Sequence, residues 1–141
     1  MSILSSLLAA CAGKPPTNLG VHDNRLAACP SAPRCVSSQE TDERHHIAPL
    51  AFSGDADAAF ARLKQILARR KDTRIIGESS GYLRVEMRTN LFVDDGEFLL
   101  DRSGGIIHVR SSSRVGYWDM GKNRRRMEDI RSEFNSTKAA L

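Results

Sequence analysis

Aromatic side chains make up only 6% of this 141-residue chain, so any core it builds is mainly aliphatic. No apolar run approaches the roughly 20 residues that a membrane-spanning helix needs. There is no nucleophile elbow, no metal-binding pattern and no phosphate loop, which removes the reactions that announce themselves through short motifs. Nothing implies a cofactor or a metal. Internal repeats and low-complexity tracts are also missing. The charge is not one-sided: 21 basic residues face 17 acidic ones, for a net charge of +4. With a pI near 9.3 this suggests attraction to anionic surfaces. Because the two signs are interleaved and no nucleic-acid motif is present, nucleic acid is not an expected partner. What remains, 40% hydrophobic and 27% charged, fits one globular domain with a real core.

The first ten residues, MSILSSLLAA, are apolar and uncharged, and Cys11 follows, then a Gly, Lys and Pro segment. The stretch resembles a bacterial lipoprotein signal, although no Lys or Arg precedes the apolar run and it is short against the usual ~15–30 residues. The resemblance makes Leu8-Ala9-Ala10-Cys11 the lipobox, with cleavage before Cys11 and a diacylglycerol on its sulfur. It implies a domain in the bacterial cell envelope, anchored to the membrane by that lipid and facing the periplasm or the exterior. Residues 11–28, with Pro15-Pro16 and no periodicity, read as a tether.

Three cysteines are an odd number. With Cys11 lipidated, Cys29 and Cys35 are left as a pair that an oxidising envelope would join. Pro30 and Pro33 stiffen the loop between them, which places the entropic gain at the low end of the usual ~2–4 kcal/mol. A zinc site is the rival. Two cysteines without a second pair, and a His45-His46 doublet in place of spaced histidines, fit it poorly.

The folded part starts near Cys29. Val36 to Pro49 reads as a surface loop or short extended segment. From Asp55 to Arg70, apolar residues at 56, 60, 63 and 67, widened by Ala59 and Ile66, predict a helix, with Asp55 or Ser53 as cap. Thr73 to Glu78 and Gly81 to Thr89 predict two strands about a Ser79-Ser80-Gly81 turn, the second alternating Leu83, Val85 and Met87 with Arg84, Glu86 and Arg88. Asp94-Asp95-Gly96 reads as another turn. Glu97 to Arg102 and Ile106 to Ser111 then form a hairpin across Ser103-Gly104-Gly105, with Glu97 opposite or diagonal to Arg110 on an exposed face. A last helix, Asp119 to Phe134, carries a stripe of Met120, Asn123, Met127, Ile130 and Phe134, in which Asn123 is a polar residue on the core side. The expected fold is α+β: a two-layer sandwich with a four-stranded, mostly antiparallel sheet and two helices on one face. Residues 136–141 are left as a tail.

CPSAPRCVSSQ at 29–39, IAPL at 47–50, FVDDGEFLLD at 92–101 and IIHVRSSSRVGYWDMGKNRRRMEDIRSEF at 106–134 resemble the family called domain of unknown function 1499. The resemblance covers residues 29–135 as the domain and implies no activity, because the family has none established. Gly96 stands where a Val-like residue is usual, which predicts a looser start to the strand there.

Polar residues crowd into 94–131. As a structural network, Asp94 and Asp95 would hold Arg110 and Arg114, Glu97 would join them, Asp119 would cap the helix and Asn123 would satisfy a loop carbonyl. As a ligand site, Arg110, Arg114, Asn123 and Arg124, with free N–H groups near 120–122, would grip an anionic lipid head group or an envelope glycan acid. As a catalytic site, His108 would act with Asp94 or Glu97, with Ser111 to Ser113 offering hydroxyls. Arg124-Arg125-Arg126 reads as a solvated helix face with some attraction to membranes. The expected function is therefore non-catalytic binding or scaffolding of an anionic envelope component, with a small hydrolase built on His108 as the alternative.

Overall fold

A computed structural model of the protein describes residues 13–137. Cys11 and the apolar run before it lie outside the described residues. In chain order the elements are β1 (Cys35–Ser37), β2 (Leu50–Ala51), α1 (Ala56–Arg69), β3 (Thr73–Ser79), β4 (Tyr82–Arg88), β5 (Val93–Asp101), β6 (Ile106–Ser113) and α2 (Lys122–Thr137). The fold is α+β, with an antiparallel sheet of six strands where four were expected. Strands β3 to β6 form a meander, and β1 and β2 both pair with the outer edge of β6, through Cys35↔Ser112 and Leu50↔Ile107. A pleat of period two needs several residues to show itself. Three-residue and two-residue strands leave no such signal and are held in place by the edge they cover.

Helix α1 begins as its sequence requires. The Asp55 carboxylate accepts from Ala58 N at 2.8 Å, and Ala59, Leu63, Ile66 and Leu67 are buried. Helix α2 sends Met127, Ile130 and Phe134 into the same cluster, which the strands complete with Leu83, Val85, Met87, Phe98, Ile107 and Val109. Fully burying one such side chain is worth ~1.5–3 kcal/mol, so this cluster is the main favourable term of the fold. Met120, expected on the α2 stripe, is instead 66% exposed with φ 55°. The helix starts two residues later, at Lys122.

The strongest departure from expectation is at Asp94-Asp95-Gly96, which is not a turn but the middle of the sheet. Met87↔Asp94↔Ser113, Glu86↔Asp95↔Ser112 and Val85↔Gly96↔Ser111 are continuous rungs across β4, β5 and β6. The turn lies earlier, where Thr89 N donates to Phe92 O at 2.9 Å and Phe92 N to the Thr89 hydroxyl at 3.1 Å. Gly96 does not loosen the strand. A Cβ there would stand 2.7 Å from Met87 Cε and 2.8 Å from Val85 Cγ2, so its missing side chain is the space those two occupy.

Six successive residues of β5, Val93 to Phe98, are buried. This requires cover on both faces of the sheet. Helix α2 covers one. The other lies under part of the stretch read as a tether: Leu26 is buried, Gly20 N donates to Glu97 Oε2 at 2.8 Å, and the carbonyls of Ala27 and Ala28 accept from Arg110. Cys29 and Cys35 form a disulfide, with 5.7 Å between their Cα atoms, joining the end of that segment to β1.

Candidate functional site

Alternation along β5 separates its acids. Asp94 points to the helix side, and Asp95 and Glu97 point to the other. On the helix side Asp94 Oδ2 accepts from Arg126 Nη1 at 2.6 Å and lies 3.0 Å from Lys122 Nζ. Arg126, expected to be solvated, is 7% exposed. It takes Asp94, and Arg110 does not, because the pleat puts Arg110 on the far face. One turn earlier on α2, Asn123 is fully buried. Its Nδ2 donates to the Ser113 hydroxyl and to Asp119 Oδ2, both at 2.8 Å, and its Oδ1 accepts from the Ser111 hydroxyl at 2.5 Å. A longer bond runs from Nδ2 to the Arg34 carbonyl. Asp119 accepts from Gly121 N at 2.9 Å and Asn123 N at 3.2 Å, which satisfies the helix start. With Lys122 N donating to the Asp119 carbonyl at 3.1 Å, the N–H groups of Gly121, Lys122 and Asn123 are all engaged by Asp119.

On the opposite face Arg114 is held by two carboxylates. Its Nε and Nη2 donate to Asp95 at 2.8 Å each, and Nη2 also donates to Glu86 at 2.6 Å. The Asp95 hydrogen bonds, set against the cost of burial, raise the Arg114 pKa further above its already high value. Burial alone would raise Glu86, but hydrogen bonds from Arg114 and Arg88 leave it below the usual carboxylate range. Beside this pair, Glu97 and Arg110 face each other on one rung. The expectation of an exposed pair is wrong: Glu97 is fully buried and Arg110 nearly so. Glu97 Oε2 accepts from the Tyr82 hydroxyl at 2.5 Å, and burial with this bond pushes the Tyr82 pKa well up. Arg110 donates to Ala27 O at 2.8 Å and Ala28 O at 3.2 Å. Its Nη1 has no hydrogen bond and stands 3.6 Å from Glu97 Oε1. Burial lowers the Arg110 pKa, with Glu97 opposing the shift.

A cleft of about 380 Å³ opens beside these arginines, between residues 14–18, the disulfide loop and the end of β6. Its lining includes Lys14, Arg34, Arg110 and Arg114 with Ser112 and Ser113. Arg34 is fixed in its lining, donating to the Ser113 carbonyl while its own carbonyl accepts from Ser113 N. Among the described residues, neither Lys14 nor Arg34 has a carboxylate within ion-pair distance.

Of the expected ligand residues, then, the fold brings Arg110 and Arg114 together and separates the other two. Asn123 is across the sheet. Arg124 lies on the outer side of α2, donating to the His46 and Arg44 carbonyls at 2.8 and 3.3 Å. His108 is in a third place. Its Nδ1 is 3.1 Å from the Ser38 hydroxyl and its Nε2 is 4.0 Å from Asp101 Oδ2, not near Asp94 or Glu97 as a catalytic pair. Burial lowers the His108 pKa, with Asp101 partly opposing this. A cleft of about 630 Å³ is lined by His108, Asp101 and Tyr82. Ser38 does not line it; its hydroxyl accepts from Val109 N at 2.9 Å and completes the edge of the sheet. Among the described residues no group of three or more His, Cys, Asp or Glu could hold a metal ion, and no helix is long and apolar enough to cross a membrane.

Lys14, Arg34, Glu86, Lys122 and Arg126 were not singled out from sequence. Arg126 alone carried a signal. It lies three residues after Asn123 and four before Ile130, on the buried side of the helical period.

The sequence model of the family described as "Protein of unknown function (DUF1499)" matches residues 25–134, and the chain belongs to that family. Searches of curated proteins and of solved structures each found no match.

Proposed function

We propose that the protein is a non-catalytic binding module of the bacterial cell envelope, tethered through Cys11, that holds an anionic group of an envelope component in the cleft of Lys14, Arg34, Arg110 and Arg114. Within this reading the two helices and the sheet are two layers, and residues 13–28 lie on the sheet face away from the helices. The observation that carries it is the gathering of four cations in one cleft. Two of them have their charge matched by buried carboxylates. Arg110 and Arg114 are set against the carboxylates of Glu97, Asp95 and Glu86, whereas Lys14 and Arg34 have no carboxylate within ion-pair distance among the described residues. A phosphate or carboxylate fits such a site because planar guanidinium groups, already fixed by other bonds, lose little freedom on binding it.

The test is thermal unfolding of the full chain with increasing inorganic phosphate or glucuronate, at constant ionic strength held with chloride. The expected result is an anion-dependent rise in Tm that Lys14→Gln and Arg34→Gln each weaken and that Arg69→Gln, on the exposed side of α1, leaves unchanged. A rise that is the same in all four proteins removes the cleft from the account. The anchor is tested separately by palmitate labelling in a bacterial host, which is expected to be lost in Cys11→Ser.

A hydrolase using His108 has one observation in its favour, the Ser38–His108–Asp101 alignment beside the larger cleft. Against it, the Ser38 hydroxyl is engaged by the Val109 backbone, and 4.0 Å is too long for a hydrogen bond from His108 to Asp101. Hydrolysis of ester or phosphoester substrates that vanishes in both Ser38→Ala and His108→Gln would support this alternative.

A further inference from the structure

Seven large hydrophobic side chains are strongly exposed among the described residues, and five of them, Leu91, Phe92, Tyr117, Trp118 and Met120, fall in two loops. The loops are the β4–β5 turn and the connection from β6 to α2, and they meet about one mainly apolar cleft of about 340 Å³ that includes Phe92, Trp118, Met120 and Lys122. An apolar group of this kind, gathered on loops, marks a contact surface more than scattered single residues do. Its polar surroundings are cationic. Lys122 Nζ stands 5.2 Å from the centre of the Phe92 ring, Arg125 is tied to the loop through the Met120 carbonyl at 2.7 Å, and Arg88 flanks the turn with its side chain half exposed, one of its nitrogens donating to Glu86 at 3.0 Å. The nearby acids are engaged: Asp94 is buried against Arg126 and Lys122, and Asp119 caps α2.

The chain's own course points to the occupant. Gly13, the first described residue, packs beside this connection, for a Cβ on it would lie 2.9 Å from Val115 Cγ1 and 3.0 Å from Arg114 Cβ. Cys11 precedes Gly13 by two residues, and two residues of chain reach at most about 7 Å. We infer that the Leu91-Phe92 and Tyr117–Met120 loops form a membrane-docking face that inserts into the interface of an anionic bilayer, with Lys122, Arg125 and Arg88 against the head groups. Trp and Tyr favour that interface because each has a large apolar body and a polar tip. Each basic residue near an anionic surface adds attraction of electrostatic origin. The inference rests on the envelope reading for the presence of a bilayer, and not on the anion cleft, so the phosphate experiment and the one below fail independently.

Trp118 is the chain's single tryptophan, so its fluorescence reports on this face alone. The experiment uses full-length protein carrying Cys11→Ser, to remove any acyl chain, with vesicles of phosphatidylcholine with and without phosphatidylglycerol. The expected result is a blue shift of Trp118 emission and quenching by lipids brominated on their acyl chains, stronger with phosphatidylglycerol and weakened by salt. Adding Tyr117→Ser and Met120→Ser is expected to reduce partitioning by roughly tenfold or more, since two apolar side chains leave the interface. Adding Val21→Ser and Ile76→Ser, exposed elsewhere, is expected to leave it unchanged. Vesicle binding without quenching of Trp118, equal partitioning of both double variants, or a blue shift that follows protein concentration without lipid would each overturn the proposal, the last in favour of self-association.

Discussion

The two faces of β5 bury the same kind of charge in different ways. On the helix side, Asp94 is enclosed by side chains of α2, an element with its own cap and a share of the hydrophobic core. On the other side, Asp95 and Glu97 are matched by arginines of the neighbouring strand and its extension, and the cover is a segment with little regular structure that contributes backbone groups from Gly20, Ala27 and Ala28. A buried charge cluster sealed by a core helix opens only if the core opens. One sealed by a strap held through a few polar bonds can open locally. The first arrangement suits stability, and the second leaves room for a ligand.

The largest expected effect tests the helix side. Asp94→Ala leaves Arg126 and Lys122 without their shared carboxylate and is expected to lower stability by about 3–5 kcal/mol in urea unfolding, the cost of breaking a buried ion pair from one end. A loss below about 1 kcal/mol would place Asp94 with ordinary surface charges. Asn123→Leu comes next. It removes the partner of the Ser111 and Ser113 hydroxyls, and about 2–3 kcal/mol is expected from two groups left unsatisfied. On the strap side, Glu97→Gln keeps a side chain able to accept from Tyr82 and Gly20 but removes the charge opposite Arg110. Protection from hydrogen exchange is expected to fall at residues 20–28 while the α2 amides stay protected. Equal loss in both regions would mean that the two faces open as one unit.

A smaller effect comes from pH. Glu86 has a depressed folded pKa, so its contribution is present above its ordinary value of 4.5 and is lost as pH falls through the lower folded value. His108 is also depressed in the folded state. Its unfolded form takes a proton first, so stability declines as pH falls below 6.5 until the folded value is passed. His108→Gln is expected to flatten the upper part of this decline and Glu86→Gln the lower part, as measured by Tm against pH. The smallest effect is expected at Asp57→Asn. The Arg102–Asp57 pair lies outside both networks and at the surface, and no measurable change in Tm is expected.

The family, the α+β class, helix α1 and the β3–β4 hairpin were legible in the sequence because each spans enough residues for a period or motif to register. The short strands β1 and β2 were not, since their pairing is specified by the edge of β6 and not by their own composition. Asp94-Asp95-Gly96 misled for a related reason. Its local chemistry is that of a turn, and only partners about 20 to 30 residues later, Arg114 and Arg126, turn it into strand. Asn123 was visible as a polar intrusion on an apolar stripe. Arg110 and Arg114 were visible as candidates, but their separation from Asn123 follows from the pleat, which sequence order alone does not reveal. The contribution of Lys14 and Arg34 depended on the strap folding back over the sheet, for which the sequence carries no periodic signal.

We propose that one face of this sheet is sealed for stability and that the other keeps a cleft that takes an anion. Arginine Nε–H resonances of the full chain, followed by ¹⁵N NMR during titration with inorganic phosphate, test it most directly. The account predicts that the signals of Arg34 and Arg110 move with a saturating, chloride-resistant dependence while that of Arg126 stays fixed. Movement of Arg126 to the same extent, or no movement at Arg34 and Arg110, would contradict it.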